Sequence, residues 1–398
     1  MKYFDTEQLI IKSWCNNPEE SSIEQAKNLS NLPFAFHHIA LMPDTHSGYG
    51  MPVGGVLATK DVIIPNAVGV DIGCGMCAVK TSWTTDQIDK ETLKKIFGGS
   101  SENHGGIRSA IPVGFNKHSK KQDVDLMPLI KNDNDYSIIK KEYGNALHSL
   151  GTLGGGNHFI EIQYDSDNLV WIMLHSGSRN LGKQVADHYN KIAVALNKKW
   201  HSGIPTNWQL AFLPIDSDEG QSYLKEMNYC IEFALANRKL MISRITDIFN
   251  DILNWKKIDL NKMINIVHNY VRIENHFGEN VWIHRKGATS AKKDEIGIIP
   301  GSQGTASYIV RGFGNPESFT SCSHGAGRMM SRKAAKRNLD FASEVKNLEE
   351  KGIIHSVRNI DSLDEAPGAY KDIDLIMAEQ SDLIEIVHKL QPLAVIKG

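Results

Sequence analysis

A carboxylate and a thiol stand three residues apart in the segment VGVDIGCGM, at positions 68–76. Asp71 offers a hard oxygen ligand, and Cys74 offers a soft thiolate that can also bridge two ions. The glycines of this segment lack Cβ atoms, so the backbone can fold tightly around an ion. A lone D-x-x-C pair is more often a turn with a buried cysteine. A metal site becomes the better interpretation because three histidines lie in similar glycine-rich or strand-end settings: His158, His175 and His268.

A second reactive segment, SCSHGAGR at 321–328, isolates His324 between small residues and adds Arg328. A phosphate can closely approach an imidazole that has no bulky neighbours, and the following backbone amides can form a nest for oxyanions. His324 is therefore a candidate nucleophile toward phosphorus. This segment alone leaves open a glycine turn that carries a solvent-exposed histidine.

Two further glycine-rich loops, LGGGNHF at 153–159 and PGSQGTAS at 300–307, offer amides and hydroxyls suited to a nucleotide base or phosphate. Each loop by itself is weak evidence for a nucleotide-binding site, because glycine-rich loops are common. The segment PDTHSGYGMP, at 43–52, adds Asp44 and His46. These two residues belong either to a polar turn or to the floor of a substrate site, and the turn is favoured for His46.

A local basic patch follows His324. The sequence RMMSRKAAKR, at 328–337, predicts a helix with Arg328, Arg332 and Lys336 on one face. A basic helix is more often a solvated surface. Its position immediately after the candidate nucleophile favours contact with phosphates.

The bulk composition is that of a globular protein, with 398 residues, 41% hydrophobic and 23% charged. With a net charge of −2, the protein as a whole has no positive electrostatic potential. Any contact with nucleic acid must therefore come from a local basic patch. Five scattered cysteines argue for reduced thiols rather than a disulfide framework. No run approaches the roughly 18 apolar residues of a membrane helix. We therefore expect no membrane association and a cytoplasmic location.

The elements that must position these groups can be read from periodicity. The apolar run LVWIML, at 169–174, predicts a buried strand that delivers His175 at its tip. The alternation in NHFIEI, at 157–162, predicts a strand with His158 on one face and Glu161 on the other. His276 and His284 compete with His268 for a place in the site. His268 is favoured because a neutral imidazole in an apolar strand needs a partner.

The order of elements predicts an α+β fold, as a single large domain over residues 1–398 with mixed β-sheets. Amphipathic helices are predicted at 85–97 and 136–149, and a helical insertion at about 180–255. Strands are predicted at 53–64, 266–273, 281–288 and 307–313, followed by a helical stretch and a short C-terminal strand at 392–396. This order is too irregular for a doubly wound sheet or a (β/α)8 barrel.

Taken together, a set of long and chemically unusual motifs resembles the RtcB family of 3′-phosphate RNA ligases. The motifs are VDIGCG, GGGNHFIE, LHSGSR, VHNYV, RKGA, IIPGSQGTAS, SCSHGAGRMMSR, AYKDID and VIKG. The resemblance runs from about Pro43 to Gly398. It implies an enzyme that joins an RNA 3′-phosphate or 2′,3′-cyclic phosphate end to a 5′-hydroxyl end in RNA repair or tRNA splicing. GTP and manganese are the implied cofactors, and a helper protein is left open.

The resemblance also implies roles for individual residues. Two manganese ions would be held by Asp71, Cys74, His158, His175 and His268, with Cys74 bridging, although thiolate and imidazole spacing alone would suggest zinc. His324 would become linked to GMP. The guanylate pocket would be formed by Asn157, His158, Phe159, Ile160, Glu161, His268, Asn269, Pro300, Gly301, Ser302, Gln303, Ser307, His324, Gly325, Ala326, Gly327, Tyr370 and Lys397. Glu161 would recognise guanine. The positions near RNA or phosphate would be Asp44, Arg179, Arg328 and Arg332.

One residue departs from the family pattern, because Gln303 stands where most relatives are expected to have methionine. Two other functions remain alternatives. A dinuclear metallophosphoesterase would use the same ligands to activate water and would need no guanine pocket. A nucleotide-sensing binding protein would bind without turnover.

Overall fold

A computed structural model describes residues 1–5, 7–98, 105–130, 136–253 and 258–398. Its strands are β1 (Lys2–Phe4), β2 (Ile10–Ser13), β3 (Ala35–His46), β4 (Val53–Thr59), β5 (Val62–Ile63), β6 (Gly75–Thr84), β7 (Phe159–Tyr164), β8 (Leu169–Ser176), β9 (Leu213–Pro214), β10 (Ile264–Val267), β11 (Asn269–His276), β12 (Glu279–Lys286), β13 (Ala288–Ser290), β14 (Ile296–Ile299), β15 (Ser307–Gly312), β16 (Ser321–Ser323) and β17 (Ile384–Lys397). Its α-helices are α1 (Glu20–Ser30), α2 (Pro65–Val68), α3 (Lys90–Phe97), α4 (Ile107–Ala110), α5 (Ser137–Ser149), α6 (Asn180–Trp200), α7 (Asp218–Leu253), α8 (Arg332–Asn338), α9 (Phe341–Glu350) and α10 (Ile373–Glu379).

Two large sheets organise the part of the chain that the structure describes. One has six strands in the order β1-β2-β3-β4-β12-β11, and the other has seven in the order β10-β6-β8-β7-β17-β15-β14. Apolar side chains join the two sheets, because Val56 and Ile283 of the first pack in one cluster with Ile299 and Tyr308 of the second. The mixture of helices and several sheets confirms the predicted α+β class.

The seven-stranded sheet is covered on both faces. Ile160 and Ile172 pack with Ile245 of α7 on one face, whereas Phe159 and Met173 belong to the cluster that contains the helix α9. A strand buried on both faces is apolar along its whole length. This explains why LVWIML forms β8, and the alternation of Ile160 and Phe159 agrees with the face assignment predicted for 157–162.

Most predicted elements are confirmed, with three corrections. The strand predicted at 266–273 is two strands, β10 and β11, which belong to different sheets and are separated at His268. Helices α6 and α7 fall in the predicted helical span, of which residues 254 and 255 lie outside the described residues. The C-terminal strand is much longer than the predicted 392–396, because β17 extends from Ile384 to Lys397 and pairs with both β15 and β7. Polar and charged side chains on its first half hide the strand pattern.

The predicted helical face of Arg328, Arg332 and Lys336 is wrong. Helix α8 begins at Arg332, and Ser331 caps it by accepting a hydrogen bond from the Ala334 amide at 3.2 Å. Arg328 therefore lies before the helix. Separately, none of the described helices is both long and apolar enough to cross a bilayer.

Candidate active site

The Asp71–Cys74 turn links α2 to the first residue of β6. The Cys74 amide donates to the Asp71 carbonyl at 3.0 Å, and the Gly73 amide donates to the Asn269 carbonyl at 3.0 Å. Gly73 has a φ of 74°, in the left-handed region that favours glycine. The tight turn therefore brings the carboxylate and the thiol to the same side of the seven-stranded sheet, as the glycine-rich sequence predicts.

The three predicted histidines meet this turn. His158 immediately precedes β7, His175 lies on β8, and His268 lies between β10 and β11. The Cys74 Sγ atom lies 3.4 Å from His158 Nε2 and 3.2 Å from His175 Nε2. His158 Nε2 also lies 3.2 Å from Asp71 Oδ2, and His175 Nε2 lies 3.3 Å from His268 Nε2. Neighbouring strands of one sheet thus assemble residues that are far apart in sequence.

These five side chains form two groups that share one atom. Asp71 and His158 make a triad with Cys74, while His175 and His268 make a second triad with the same thiol. The potential ligand atoms of each triad lie within 4.8 Å of one another. Burial lowers the pKa of His175 and His268 well below the usual value, which keeps both imidazoles neutral and able to donate electron pairs.

The donor set fits a pair of cations. Inside a buried pocket, imidazole nitrogens, a thiol and a carboxylate face one another, and a cation can satisfy lone pairs that converge in this way. Burial, together with the Asp71 carboxylate, raises the pKa of Cys74 well above its usual value. Metal binding at this thiol would therefore release a proton.

Two supporting residues of this turn escaped the sequence reading. Arg238 is fully buried on α7 and donates to the carbonyls of Gly73 at 3.0 Å and Ser176 at 2.7 Å. A Cβ atom at Gly177 would collide with the Asp71 carboxylate. In the sequence, Arg238 looks like any polar residue on the exposed face of an amphipathic helix. Its burial in the structure shows that it supports the Asp71–Cys74 turn instead.

His324 lies beside the histidine cluster and is held by Asp44. Asp44 Oδ2 lies 2.6 Å from His324 Nδ1, and the same oxygen accepts from the backbone amides of His324 at 3.0 Å and Gly325 at 3.2 Å. The His324 and His268 rings lie edge to face, with centroids 4.8 Å apart. Asp44 is fully buried behind His324 rather than on the pocket surface, where the resemblance placed it near RNA or phosphate.

A pocket of about 310 Å³ opens in front of these residues. Gly287 makes room in it, because a Cβ at this position would lie 3.1 Å from His324 Cε1 and its φ is 57°. The predicted residues that line the pocket are Asp71, Cys74, Asn157, Phe159, His175, His268, Asn269, Pro300, Gly301, His324, Gly325, Ala326, Gly327, Arg328, Arg332, Tyr370 and Lys397. His46 also lines it, although a turn was favoured for that residue.

Other predicted pocket residues lie behind this lining. Ile160 packs in the core against α7, so only its backbone can serve the pocket. Ser307 Oγ accepts from Gln163 Nε2 at 2.9 Å and from the Gly301 amide at 3.2 Å, which fixes the loop at 300–307. Ser302 bonds within this loop, through its amide to Thr305 Oγ1 at 2.7 Å.

Glu161 is the most unusual of these buried residues. Its side chain is 2% exposed, and its Oε1 atom has no hydrogen-bond partner among the described residues. Burial raises the pKa of Glu161 to about 8. A buried carboxyl oxygen without a partner is costly, so this atom is suited to a ligand that brings its own N–H donors.

Gln303, the residue that departs from the family pattern, ties the same loop to the rest of the pocket. Its Nε2 donates to the Glu365 carbonyl at 2.8 Å, and its Oε1 accepts from the Ser356 amide at 3.0 Å. Methionine has no N–H for the first bond and only a weakly accepting thioether sulfur for the second. The amide therefore serves a structural purpose in this chain.

A basic wall completes the pocket and is organised by a carboxylate that the sequence reading missed. Glu365 accepts from Arg332 at 2.7 Å, from Arg328 at 3.2 Å and from Lys397 at 3.0 Å, and it also accepts from the Tyr370 hydroxyl. Burial opposes its ionisation, yet the Lys397 and Arg332 charges hold the pKa of Glu365 at about 2. Three cations and a tyrosine, from three segments of the chain, thus share one buried anion.

Lys286, from the RKGA motif, is a further pocket residue that was not predicted from the sequence. It lines the pocket, and its Nζ donates to the backbone carbonyls of Tyr49 at 2.6 Å and Asn66 at 3.1 Å. Burial lowers the pKa of Lys286 to about 7. Among the described residues no carboxylate forms a salt bridge with Lys286. The signal in the sequence is a lysine at the end of a strand that is apolar in its middle part, because Lys286 is the last residue of β12.

Arg179 and the competing histidines lie outside the pocket lining. The Arg179 guanidinium donates to Thr152 Oγ1 at 2.8 Å and to the Gly114 carbonyl at 2.8 Å, beside the glycine loop that precedes His158. His284 Nε2 accepts from the Ile64 amide at 3.0 Å. His276 Nε2 lies 3.2 Å from a Glu274 carboxylate oxygen. Neither histidine joins the cluster, in agreement with the preference for His268.

Comparisons with known proteins identify one family. A family model described as tRNA-splicing ligase RtcB matches residues 25–398. The RNA-splicing ligase RtcB of Escherichia coli strain K12 is 37% identical over 413 residues, which cover 99% of this chain and 98% of that protein. The tRNA-splicing ligases RtcB of Nanoarchaeum equitans and Thermococcus kodakarensis are 33% and 30% identical, and each alignment covers 100% of this chain. These alignments cover 95% and 94% of the two archaeal proteins.

Proposed function

The chain belongs to the RtcB family, and we propose that it joins RNA ends with a 3′-phosphate or 2′,3′-cyclic phosphate to RNA ends with a 5′-hydroxyl. The proposal includes GTP as the energy source and two Mn²⁺ ions as cofactors. The relatives are named for RNA splicing or tRNA splicing, so we assign the chain to RNA repair or tRNA splicing.

One observation supports this proposal above the others. His324 lies next to the two triads that share Cys74, and its Nδ1 is 2.6 Å from the buried Asp44 carboxylate. An imidazole whose Nδ1 proton is held by a carboxylate presents a lone pair on Nε2. This arrangement favours direct attack by His324 on phosphorus. In a metallophosphoesterase, by contrast, metal-bound water would attack and the histidine would not need to be a nucleophile.

In the first proposed step, His324 Nε2 attacks the α-phosphorus of GTP. A P–N bond forms, the bond to the β,γ-pyrophosphate breaks, and pyrophosphate leaves with its electron pair. Asp44 retains the proton on Nδ1 and stabilises the positive charge that develops on the ring. The product is a phosphoramidate between His324 and GMP.

Two further transfers complete the reaction. An oxygen of the RNA 3′-phosphate attacks the phosphorus of the guanylate, breaks its bond to His324 and forms an RNA–ppG end. The 5′-hydroxyl of the second RNA then attacks the former 3′-phosphate in line, and GMP leaves. A cyclic phosphate would first be hydrolysed to a 3′-phosphate.

Asp71, Cys74, His158, His175 and His268 would hold the metal ions. When bound, such ions supply charge neutralisation at phosphate oxygens and polarise the phosphorus. The chain itself contributes the basic wall, in which Arg328, Arg332 and Lys397 can attract the phosphates of RNA and nucleotide. Lys286 adds a further buried amine at the same pocket.

Guanine would be recognised by Glu161. A carboxylate can accept from both N1–H and the exocyclic amino group of guanine, whereas adenine lacks this pair of donors. The partnerless Oε1 of Glu161 supports this assignment. In the structure, Glu161 lies behind the pocket lining, so binding of the base requires a local opening near Phe159.

Labelling with GTP tests the proposal against both alternatives. Protein incubated with α-³²P-GTP and Mn²⁺ should retain label after denaturation, and the bond should be labile in acid and stable in alkali. The matched controls are α-³²P-ATP and the His324→Ala variant. A phosphoesterase would hydrolyse phosphate esters without retaining label, and a nucleotide sensor would lose the label on denaturation. Either result would overturn the ligase proposal.

A further inference from the structure

A fully exposed aromatic side chain lies in the loop Val113–Lys121, whose sequence is VGFNKHSKK. Among the large apolar side chains of the described residues, Phe115 has the largest relative exposure. A single exposed apolar residue is unremarkable in itself. Two further observations suggest that Phe115 contacts a ligand: the position of its loop and the charged residues near it in the sequence.

The loop is anchored on both sides of Phe115. The Gly114 amide donates to the Gly154 carbonyl at 2.9 Å, and Arg179 donates to the Gly114 carbonyl at 2.8 Å. The His118 amide donates to the His148 carbonyl at 2.9 Å. Phe115 is therefore presented to solvent by a loop with fixed ends.

The anchor places Phe115 next to the active site. Gly154 is in the glycine loop before His158, and a Cβ at Gly154 would collide with both the His158 and Arg179 side chains. Two residues further along the same loop, a Cβ at Gly156 would lie 3.2 Å from an Arg332 guanidinium nitrogen. Between them, the exposed Gly155 would place a Cβ 3.5 Å from Gly114 Cα, so the exposed part of the glycine loop lies between Gly114 and the basic wall.

Three lysines follow Phe115 within six residues of the sequence. Lys117, Lys120 and Lys121 are exposed, and among the described residues no carboxylate forms a salt bridge with them. Lys117 also lines a small cleft together with Arg179 and Glu142. The nearest acidic side chains in the sequence, Asp123 and Asp125, follow after the lysines.

We propose that the Val113–Lys121 loop is a docking surface for single-stranded RNA, with one base stacked on Phe115 and phosphates contacted by the lysines. This inference rests on the proposed function, because it deepens the substrate class of the same site. Stacking on an exposed aromatic side chain together with backbone contacts from lysine is the usual chemistry of single-strand binding. The anionic backbone complements the unpaired lysines, and the glycine loop leads from this surface to the catalytic pocket.

The test measures binding of a fluorescein-labelled, 12-nucleotide single-stranded RNA with a 3′-phosphate by fluorescence anisotropy. Phe115→Ala should weaken binding roughly fivefold to a hundredfold, the loss expected when one base stack is removed. Phe115→Trp should restore the affinity, because tryptophan also offers a π-face. The matched control is Phe313→Ala, which removes another exposed phenylalanine and should leave the affinity unchanged.

Salt dependence gives a second readout. Lys120→Gln combined with Lys121→Gln should lower the slope of log Kd against log salt by about 0.7 for each lost phosphate contact. If Phe115→Ala binds the RNA as tightly as the wild type, the inference is wrong, and Phe115 would instead be a candidate contact for a protein partner. Equal losses in Phe115→Ala and Phe313→Ala would also overturn it.

The failure of this inference can be distinguished from failure of the proposed function. If the wild type forms the guanylate and joins RNA while Phe115→Ala binds RNA normally, only the docking surface is wrong. If the wild type forms no guanylate with GTP, the ligase proposal fails whatever the RNA affinity. The melting temperature of Phe115→Ala should match that of the wild type, because the Phe115 side chain is fully exposed.

Discussion

Asp44 and His324 are 280 residues apart in sequence, yet Asp44 Oδ2 lies 2.6 Å from His324 Nδ1. The same oxygen accepts two backbone amide hydrogen bonds, from His324 and Gly325. A carboxylate with three such donors is firmly placed, and it selects the imidazole tautomer with its proton on Nδ1. Asp44 therefore orients the proposed nucleophile and needs no contact with substrate.

Asp44→Asn should reduce the rate of guanylylation of His324 by up to about four orders of magnitude, the loss seen when a catalytic histidine loses its orienting carboxylate. The amide can donate to Nδ1 and favour the tautomer with the proton on Nε2, which blocks attack. The measurement is single-turnover labelling with GTP at saturating concentration. Metal content should remain as in the wild type, and an unchanged rate would show that Asp44 does not set the tautomer.

Cys74→Ser should abolish RNA joining and lower the affinity for Mn²⁺ at least tenfold, because a hydroxyl at neutral pH is a far poorer ligand than a thiolate. Since Cys74 belongs to both triads, the loss should affect both ions. Metal content after dialysis gives the stoichiometry independently of activity.

Cys77→Ala is the matched control for that experiment. Cys77 is fully buried three residues further along, in the cluster of apolar residues on the opposite face of β6. This variant should lose some stability through the cavity but keep both ions. A Cys74→Ser protein with two tightly bound ions and activity would contradict the bridging role.

The sequence predicted local elements well, because their signals are local. The apolar run at 169–174 and the alternation at 157–162 depend on burial of nearby side chains, and both became strands β8 and β7. The glycine-rich turn at Asp71 also needed only short-range reasoning. The glycine-rich or strand-end settings of His158, His175 and His268 were enough to group them with the Asp71–Cys74 pair, whereas the division into two ions that share the thiol was implied only by the resemblance to a family.

Long-range charge pairs were invisible in the sequence. The basic segment after His324 looked like a helical face, yet Arg328 and Arg332 turn toward Glu365 in the segment IDSLDE, which reads as an ordinary polar turn. For Asp44, the sequence left open a polar turn or the floor of a substrate site, and the resemblance placed it near RNA or phosphate; its bond to His324 was not foreseen. Such partners are fixed by the tertiary packing of segments far apart in sequence, for which no periodic pattern exists.

Glu161 should make guanine-nucleotide binding depend on pH. Its pKa of about 8 leaves the carboxyl group mostly protonated at pH 7, whereas guanine requires the acceptor carboxylate. Binding must therefore release a proton, and the affinity for GMP should rise nearly tenfold between pH 6 and pH 7 and level off above pH 8. The measurement is equilibrium binding of GMP across this range.

Glu161→Gln serves as the control, because the amide does not titrate. Its affinity for GMP should be weaker above pH 8, and the part of the pH dependence that comes from this carboxyl should vanish. Glu161→Ala should also reduce the preference for GTP over ATP. An unchanged preference would place recognition of the base elsewhere.

Glu365→Gln should raise the KM for GTP in guanylylation about tenfold or more, with a smaller effect on the rate at saturation. The substitution leaves Arg328, Arg332 and Lys397 without their shared anion, so mutual repulsion should displace them from the pocket wall. Asp361→Asn, an exposed carboxylate on the same segment, is the matched control. Tighter GTP binding by Glu365→Gln would instead mean that Glu365 competes with substrate phosphates.

The order of the chemical steps can be tested with His324→Ala. This change removes the nucleophile but leaves all five candidate metal ligands in place: Asp71, Cys74, His158, His175 and His268. His324 is needed only until the guanylate has moved to the RNA end. The variant should therefore fail to react with GTP and fail to join a 3′-phosphate end, yet still seal RNA supplied with a 3′-ppG end.

The assay compares both RNA substrates on one denaturing gel in Mn²⁺, with the metal content of the variant measured in parallel. GTP-dependent joining by His324→Ala would move the nucleophile to another residue. Failure on the activated RNA with metals still bound would mean that His324 also acts in sealing. Because the His324 ring lies 4.8 Å from the His268 ring, loss of the imidazole could open the site to water. Hydrolysis of the ppG end, visible as a 3′-phosphate product, would reveal that effect and separate it from a direct role in sealing.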